Sequence, residues 1–154
     1  MEKSETMKDI IIKLESNIDD STGEMLGYVM DLLLKAGACD VYYTPIYMKK
    51  NRPAWQLNVL CKEENIAALE EIIILNTTTI GIRRCVMQRT ICDREIQDVT
   101  TPYGMAKVKV CLFHEHLRIY PEYESVIAIC QKENLSYSEV YQMIVNTYKK
   151  ILQP

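Results

Sequence analysis

The segment T-P-I-Y-M-K-K-N-R-P, residues 44–53, places three cations in four positions between two prolines. An apolar run, residues 41–48, leads into it and is typical of a β-strand. On its other side, apolar residues alternate with polar ones in the pattern of a second strand: Trp55, Leu57, Val59 and Cys61. The three cations are therefore predicted to lie in a strand-to-strand connection, held by a rigid scaffold.

Lys49, Lys50 and Arg52 are the cations of this connection, and no carboxylate stands near them in sequence. Like charges this close repel one another. Such a cluster is tolerated at the solvated tip of a hairpin, or it is useful where a polyanion binds. The segment by itself leaves both readings open.

The segments on either side predict a ferredoxin-like split βαβ core. Buried strands are expected at residues 9–15, 40–48, 54–61 and 80–87, and helices at residues 21–36 and 63–75. Ser21 is the expected N-cap of the first helix, with Glu24 completing a capping box, and Gly37 is expected to end that helix. The resulting order, β-α-β-β-α-β, defines that fold class.

The remaining residues predict a β-hairpin extension followed by helices. Residues 88–99 and 105–113 flank a turn at Pro102 and Gly104, a third helix starts near Pro121, and Ser136 with Glu139 forms a second capping box. In the last helix one apolar face is expected, made of Val140, Ile144, Thr147, Tyr148 and Ile151. The fold class is thus α+β, with residues 8–154 as a single domain and residues 1–7 as a disordered leader.

Composition places the chain among soluble globular proteins. Of its 154 residues, 48% are hydrophobic and 25% charged, and no apolar run approaches membrane-spanning length. Six cysteines without a C-x-x-C pair or a secretion signal predict reduced thiols and a cytoplasmic location. The net charge of −3 argues against a nucleic-acid partner, so any anion site must be local.

Two further groups of residues are candidates for binding chemistry. Asp19 and Asp20 follow the first strand, where they suit Mg²⁺ or Mn²⁺, with Glu15 and Asn17 as additional oxygen donors. The alternative is that both carboxylates only complement the dipole of the first helix. His114 and His116 form an H-x-H pair that suits Ni²⁺ or Zn²⁺ on a strand, or is simply a surface pair.

The cations of the whole chain suggest one anion site. Hydroxyl groups and a glycine, which suit a polyphosphate, precede two of the arginines: Thr77, Thr78, Thr79 and Gly81 come before Arg83 and Arg84. The proposed cations are Lys49, Lys50, Arg52, Arg83, Arg84, Lys107 and Lys109. A sheet face with solvated charges is the alternative. Neither a Walker A loop nor a G-x-G-x-x-G sequence is present.

Five phrases in order carry a family resemblance: E-S-N-I-D-D (15–20), T-P-I-Y-M-K-K-N-R-P (44–53), N-T-T-T-I-G-I-R (76–83), T-P-Y-G (101–104) and P-E-Y-E (121–124). Together they resemble the C-terminal domain of the nickel-insertion proteins of the lactate racemase system (LarC), over about residues 8–131. The family inserts nickel into pyridinium-3,5-bisthiocarboxylic acid mononucleotide to make the nickel-pincer nucleotide. The resemblance implies use of CTP, with release of CMP and pyrophosphate, and Mn²⁺ or Mg²⁺.

The resemblance also implies roles for individual residues. Lys49, Lys50 and Arg52 become catalytic contacts to the triphosphate, and Asp19 and Asp20 become metal ligands. Arg83 likewise becomes a triphosphate contact. From the anion site proposed above, Thr77, Thr78, Thr79 and Lys107 are added as further expected nucleotide contacts. Asn51 stands where a glycine is expected in the family.

Partners follow from the same resemblance and from the second helix. The family's N-terminal domain is the implied partner, because this sequence carries only the C-terminal pattern. Four successive apolar residues, more than one helix face can bury, predict a homo-oligomer: Ile72, Ile73, Ile74 and Leu75. The alternative function is a non-enzymatic regulatory or ligand-binding module of ferredoxin-like fold.

Overall fold

A computed structural model describes residues 8–152, which fold into two compact units. The N-terminal unit, residues 8–89, contains β1 (Lys8–Ile18), α1 (Gly23–Lys35), β2 (Asp40–Met48), β3 (Arg52–Cys61), α2 (Ile66–Asn76) and β4 (Arg83–Thr90). The C-terminal unit, from residue 90 onward, contains β5 (Asp93–Thr101), β6 (Gly104–Phe113), β7 (His116–Pro121), α3 (Tyr123–Glu133) and α4 (Tyr137–Leu152). The predicted leader, residues 1–7, lies outside the described residues.

The four strands of the N-terminal unit form one sheet in the order β2-β3-β1-β4. Strand β3 runs antiparallel to both β1 and β2. Side chains of β1 alternate between the two faces of the sheet, so Leu14, Ser16 and Ile18 are buried while Glu15 and Asn17 are partly exposed. The alternation assigns one face to packing and the other to polar side chains.

Helices α1 and α2 cover the packing face. The core contains residues of both helices and of strands β1–β3: Ile12, Leu14, Ile18, Leu26, Val29, Leu33, Val41, Leu57, Val59, Cys61, Leu69 and Ile73. Burial of these side chains is the main stabilising contribution to the unit. We call the opposite side of the sheet, which carries Glu15, Asn17, Gln56 and Arg83, the polar face.

Helix α1 starts one residue later than the sequence indicated. Thr22, not Ser21, is the N-cap, and its Oγ1 accepts a hydrogen bond from the Met25 amide at 3.2 Å. The expected capping box is therefore wrong, because only Thr22 stands three residues before that free amide. The expected end is confirmed: Gly37 has φ +95°, and the Ala38 amide donates to the Leu33 carbonyl at 3.0 Å.

Strand β4 starts at Arg83 and not near residue 80, because the preceding threonines bond locally to the backbone. The Thr77 hydroxyl donates to the Ile73 carbonyl at 2.7 Å, and the Thr79 hydroxyl donates to the Gly81 carbonyl at 3.0 Å. Ser16 on β1 also donates to the Gly81 carbonyl at 3.0 Å. Two of these contacts use the Gly81 carbonyl, which a strand beginning near residue 80 would need for its ladder. We call residues 77–82 the threonine loop.

The C-terminal unit has a three-stranded antiparallel sheet in the order β5-β6-β7, packed against α3 and α4. The hairpin predicted around residues 101–104 is present, but the third strand, β7, was not predicted. In α4, Val140, Ile144 and Tyr148 are buried, whereas Ile151 is exposed. The predicted second capping box is confirmed, since the amide and hydroxyl of Ser136 both donate to Glu139 Oε2. The chain is thus a mixed α/β protein.

Between residues 8 and 152, none of the helices has both the length and the apolar character needed to cross a bilayer. All six cysteines have free thiols in the described structure.

Candidate nucleotide site

The first contact of the candidate site joins the end of β1 to the start of β3. Arg52 Nη1 donates to Asp19 Oδ2 at 3.2 Å. Because β1 and β3 are antiparallel, the pairing of Ile18 with Trp55 brings the end of β1 next to the start of β3. The Arg52 side chain is still 57% exposed, so its guanidinium has donors available to a ligand.

Arg83 is the centre of a second polar group on the polar face. Its Nε donates to Glu15 Oε1 and its Nη2 to Asn17 Oδ1, both at 2.8 Å. Gln56 Nε2 also donates to Asn17 Oδ1, at 3.3 Å. Hydrogen bonds from Lys13, at 2.7 Å, and from Arg83 lower the pKa of the Glu15 carboxyl, against the opposing effect of burial. The polar face thus holds Arg83 in a fixed position.

Asp20 connects two loops at the same end of the unit. Its Oδ1 accepts a hydrogen bond from the Thr78 hydroxyl of the threonine loop. Asp19 and Asp20, adjacent in sequence, therefore have different partners, one cationic and one neutral. The structure thus brings Asp19 to Arg52 and Asp20 to Thr78.

Lys49 and Lys50 occupy a tight turn between β2 and β3. Both side chains are exposed, and within residues 8–152 neither ammonium has an ion-pair partner. The backbone is left-handed at Lys50 (φ 62°) and at Asn51 (φ 55°). Asparagine adopts this conformation more readily than most residues, so Asn51 suits a position where the resemblance led us to expect glycine.

The other cations of the predicted anion site are on strands β4 and β6. Arg84 points away from Arg83 and binds Glu70 of α2 through two hydrogen bonds, at 2.6 and 2.5 Å. Lys107 and Lys109 belong to β6 of the C-terminal unit, where Lys109 pairs with Glu122 at 2.9 Å. The nucleotide-binding role of Lys107 stays a prediction.

The predicted metal ligands are the two carboxylates of Asp19 and Asp20. Within the described residues, no group of three or more His, Cys, Asp or Glu side chains could hold a metal ion. A metal bound with a triphosphate takes oxygens from the phosphates, so two carboxylates suit that mode of binding. His114 and His116 do not share a strand, because a turn with His114 at φ 54° separates β6 from β7.

The sequence pattern assigned neither Gln56 nor Trp55 to the site, yet both lie at this end of the unit. Gln56 pairs across the sheet with Asn17 on one side and Thr44 on the other, while Trp55 pairs with Ile18 and Pro45. The strong period-2 pattern of β3 indicated that the two residues face opposite sides. Only the strand register, which the sequence leaves open, shows what each one faces.

The fold is mixed α/β, and two adjacent carboxylates and a basic turn lie at one end of its four-stranded sheet. Such an arrangement is typical of a site for an anion bound together with a cation. The chain belongs to the nickel insertion protein family, whose model matches residues 1–141. This confirms the resemblance found in the sequence. A pyridinium-3,5-bisthiocarboxylic acid mononucleotide nickel insertion protein of Alkaliphilus metalliredigens is 50% identical over 134 residues, which are 87% of this chain and 32% of that protein.

Other relatives agree with this assignment. The protein of that name from Lactiplantibacillus plantarum is 45% identical over 134 residues, covering 87% of this chain and 32% of the relative. The putative nickel insertion protein of Enterococcus faecalis is 40% identical, covering 94% of this chain and 44% of the relative. The chain thus spans between about a third and under half of the length of these curated relatives.

Two solved structures resemble the fold. One is LarC2, the C-terminal domain of a cyclometallase involved in the synthesis of the NPN cofactor of lactate racemase, in its apo form. It matches with a TM-score of 0.86 and 42% identity, over 93% of this chain and 99% of that chain. A protein from Methanopyrus kandleri matches with a TM-score of 0.68 at 21% identity, over 91% of this chain and 89% of that chain, and shows the fold alone.

Proposed function

We propose that this chain is the CTP-binding part of a nickel insertase. The complete enzyme inserts nickel, as a substrate, into pyridinium-3,5-bisthiocarboxylic acid mononucleotide to make the nickel-pincer nucleotide, and CTP is hydrolysed to CMP and pyrophosphate. Family membership and the likeness to LarC2 support the reaction. The observation that carries the nucleotide site is the turn with Lys49 and Lys50, both unpaired in the described structure, beside the half-exposed Arg52.

The role of the cations is electrostatic. Cleavage of CTP to CMP and pyrophosphate moves negative charge onto the leaving phosphates. Lys49 and Lys50 act as point charges toward these oxygens, whereas Arg52 can bind two of them at once. The hydroxyls of Thr77, Thr78 and Thr79, with Arg83 and Lys107, are the further proposed nucleotide contacts.

Asp19 and Asp20 are the proposed contacts to a divalent cation. Mg²⁺ or Mn²⁺ takes carboxylate and phosphate oxygens and, when bound, neutralises part of the triphosphate charge. Asp19 is held by Arg52 at 3.2 Å, and Asp20 accepts from a hydroxyl. Both carboxylates are thus kept at the end of β1, where a bound triphosphate would meet them.

The fold and the partners complete the proposal. The element order β-α-β-β-α-β and the sheet order β2-β3-β1-β4 support a ferredoxin-like split βαβ core in the N-terminal unit. The N-terminal domain of the family is the proposed partner, in a cytoplasmic homo-oligomer that uses neither nucleic acid nor a membrane. A purely regulatory module is not favoured by the family match.

Thermal unfolding with nucleotides tests the proposal. At a hundredfold excess over Kd, Mn-CTP should stabilise the protein by roughly 2.7 kcal/mol and raise its melting temperature. ATP, GTP and UTP with Mn²⁺ serve as comparisons. A melting curve that saturating Mn-CTP leaves unchanged, with the other nucleotides equally without effect, would end the proposal.

A further inference from the structure

One face of the sheet in the C-terminal unit carries two arginines with a thiol between them. Directly paired residues of antiparallel strands point to the same side of a sheet, so Arg94, Cys111 and Arg118 form one row across β5, β6 and β7. The next residue of β6 toward the N-terminus, Val110, belongs to the core shared with α3 and α4. We call the side that carries the row, opposite these helices, the outer face.

The row combines two positive charges with a neutral side chain. Neighbouring strands lie about 4.8 Å apart, so the α-carbons of Arg94 and Arg118 are on the order of 10 Å apart. Both arginines are exposed, and within residues 8–152 neither guanidinium forms an ion pair. Opposite charges on neighbouring strands stabilise a sheet, so a carboxylate at position 111 would be the stabilising choice. Cys111 instead leaves space for an anion from outside.

Several carboxylates near the row are directed elsewhere. Glu95 accepts a hydrogen bond from the Gln97 side chain on the helix side of β5. Glu122 binds Lys109 at 2.9 Å, in the neighbouring row of the outer face. Asp98 also faces outward but lies two rows away along β5. The two arginines are therefore available to an anionic ligand.

Aromatic side chains lie in the rows on either side of the arginines. Phe113 pairs with His116 in one of these rows, and Tyr120 pairs with Lys109 in the other. The side chains of Phe113 and Tyr120 are 39% and 40% exposed. An open depression of about 240 Å³ adjoins the row and is lined by Cys92, Cys111, Phe113, His116 and Arg118. A flat ring can lie against Phe113 there while a group attached to it reaches the arginines.

We infer that the outer face binds the mononucleotide that accepts the nickel, with its phosphate between Arg94 and Arg118 and its pyridinium ring against Phe113. The charges of the ligand match the face at two points. A phosphate dianion suits two guanidinium groups, each of which can bind two of its oxygens. A cationic ring suits the negative face of an aromatic side chain. The inference rests on the proposed function and adds to it a site for the second nucleotide.

Ligand-detected NMR titrations with nicotinic acid mononucleotide, a pyridinium mononucleotide with one carboxylate, test this site on the whole chain. The wild type should bind it at least fivefold more tightly than nicotinic acid riboside, which lacks the phosphate, and ribose 5-phosphate, which lacks the ring. Arg94→Gln and Arg118→Gln should each weaken the mononucleotide by about tenfold, since each removes charge-assisted contacts to phosphate. Lys132→Gln removes a cation from α3, on the helix side of the sheet, and should change nothing.

Substitution of Cys111 separates loss of the ligand from loss of the fold. In Cys111→Glu a carboxylate stands between the two arginines, so the melting temperature should rise while mononucleotide affinity falls at least tenfold. Cys111→Gln has the same size without the charge and should bind far better than Cys111→Glu. Arg94→Lys keeps the charge and should retain more affinity than Arg94→Gln.

Thermal unfolding of the same variants with Mn-CTP keeps the two proposals apart. Arg94→Gln and Cys111→Glu should be stabilised by Mn-CTP as strongly as the wild type. Stabilisation by Mn-CTP together with mononucleotide affinities that are equal in wild type, Arg94→Gln and Arg118→Gln overturns the outer-face site alone. Arginine-dependent binding of the mononucleotide without any effect of Mn-CTP contradicts the proposed CTP site alone. Equal affinities for ribose 5-phosphate and the mononucleotide also overturn the inference, because the ring then contributes nothing.

Discussion

Arg52 and Asp19 form an ion pair, with Nη1 and Oδ2 3.2 Å apart, although 33 residues separate them in sequence. Asp19 lies just beyond the end of β1 and Arg52 is the first residue of β3. A triphosphate and a divalent cation together offer each of them a new partner of opposite charge. Ligand binding can therefore replace the contact between Arg52 and Asp19 with two ionic contacts, one from Arg52 to the triphosphate and one from Asp19 to the cation.

The first prediction concerns the metal. Asp19→Asn and Asp20→Asn should each weaken CTP binding with Mn²⁺ by about tenfold, or about 1.4 kcal/mol, and weaken metal-free binding less. The amide keeps the size of the side chain but is a poorer ligand for a hard cation. Calorimetric titrations with and without Mn²⁺ measure the difference.

Glu24→Gln is the control for this experiment, because Glu24 is the acid in the first turn of α1. It removes a charge that favours the helix dipole, without changing either candidate ligand. Equal losses of affinity with and without Mn²⁺ in the two aspartate variants would show that the carboxylates only complement the helix.

The second prediction concerns the cations. Lys49→Ala, Lys50→Ala and Arg52→Ala should each cost about 1.5–3 kcal/mol of CTP affinity, because charge-assisted hydrogen bonds to phosphate are strong. The affinity for CMP, which lacks the β- and γ-phosphates, should fall less in the same variants. Arg52→Lys should also weaken CTP, since lysine cannot bind two oxygens in a fork.

Lys35→Ala removes the same charge at the exposed end of α1 and should leave CTP affinity unchanged. Parallel losses of CTP and CMP in the three variants would move the turn from the phosphates to the base or sugar. Unchanged affinities for both nucleotides would identify the turn as a solvated tip.

The third prediction separates stability from binding at one residue. Lys50 is left-handed, a conformation that costs a non-glycine residue roughly 1–2 kcal/mol and glycine much less. Lys50→Gly should therefore raise the free energy of unfolding by about 1 kcal/mol, measured in urea, while it weakens CTP. Lys49→Gly, at a neighbour without a positive φ, should weaken CTP and give no stabilisation.

The fourth prediction is a pH dependence of stability. The Lys13 and Arg83 contacts lower the pKa of Glu15 below its ordinary value of 4.5. The charged form is thus favoured in the folded state. Its contribution to the free energy of unfolding is fully present above about pH 4.5 and is lost as the pH falls through the lowered pKa. The Glu15→Gln substitution should lower the free energy of unfolding by on the order of 1 kcal/mol at neutral pH.

Urea denaturation at a series of pH values measures this contribution. The difference in the free energy of unfolding between wild type and Glu15→Gln should shrink as the pH falls below the pKa of an ordinary glutamate. In that range the wild-type carboxyl takes up its proton. Glu71→Gln, at an exposed position of α2, should follow the wild-type curve. A constant difference at every pH would contradict the assigned contacts.

The fifth prediction concerns assembly. In the predicted apolar run, Ile73 is buried and Ile72 packs against the core, but Ile74 and Leu75 are 46% and 73% exposed. Ile74 also lines a groove together with the fully exposed Ile80. We expect this surface to be covered by a second copy of the chain.

Light scattering at micromolar concentration should give at least a dimeric mass. Leu75→Glu combined with Ile80→Glu should shift the protein to monomers by placing two unpaired charges in the contact. Ile151→Glu, at an exposed position of α4, should leave the mass unchanged. A monomeric wild type would contradict the prediction.

Local sequence signals predicted most of the architecture. The bounds expected for β2 agree with the structure, and Gly37 and Ser136 take the helix-end roles assigned to them. These signals depend on neighbours within a few residues. The error at the start of α1 came from competition between similar residues: Ser21 and Thr22 both offer a capping hydroxyl, and only Thr22 has the right distance to the Met25 amide.

The residues of the candidate site could be proposed from the sequence and the family resemblance, but the contacts among them could not. The sequence indicated that Arg52, Arg83, Asp19 and Asp20 belong together, yet not that Arg52 binds Asp19 or that Arg83 binds Glu15. Those contacts depend on the register between β1 and β3 and on the order of the strands. Both are set by packing between residues distant in sequence, which a local pattern does not encode.

The backbone conformation of the turn with Lys49 and Lys50 does not fit the active-site cleft of a protease that cleaves after lysine. Such enzymes bind an extended chain, and two successive left-handed residues cannot extend without opening the turn. We therefore expect the exposed turn of Lys49 and Lys50 to resist digestion for as long as β2 and β3 stay paired. Its rate of cleavage reports how often this end of the sheet opens.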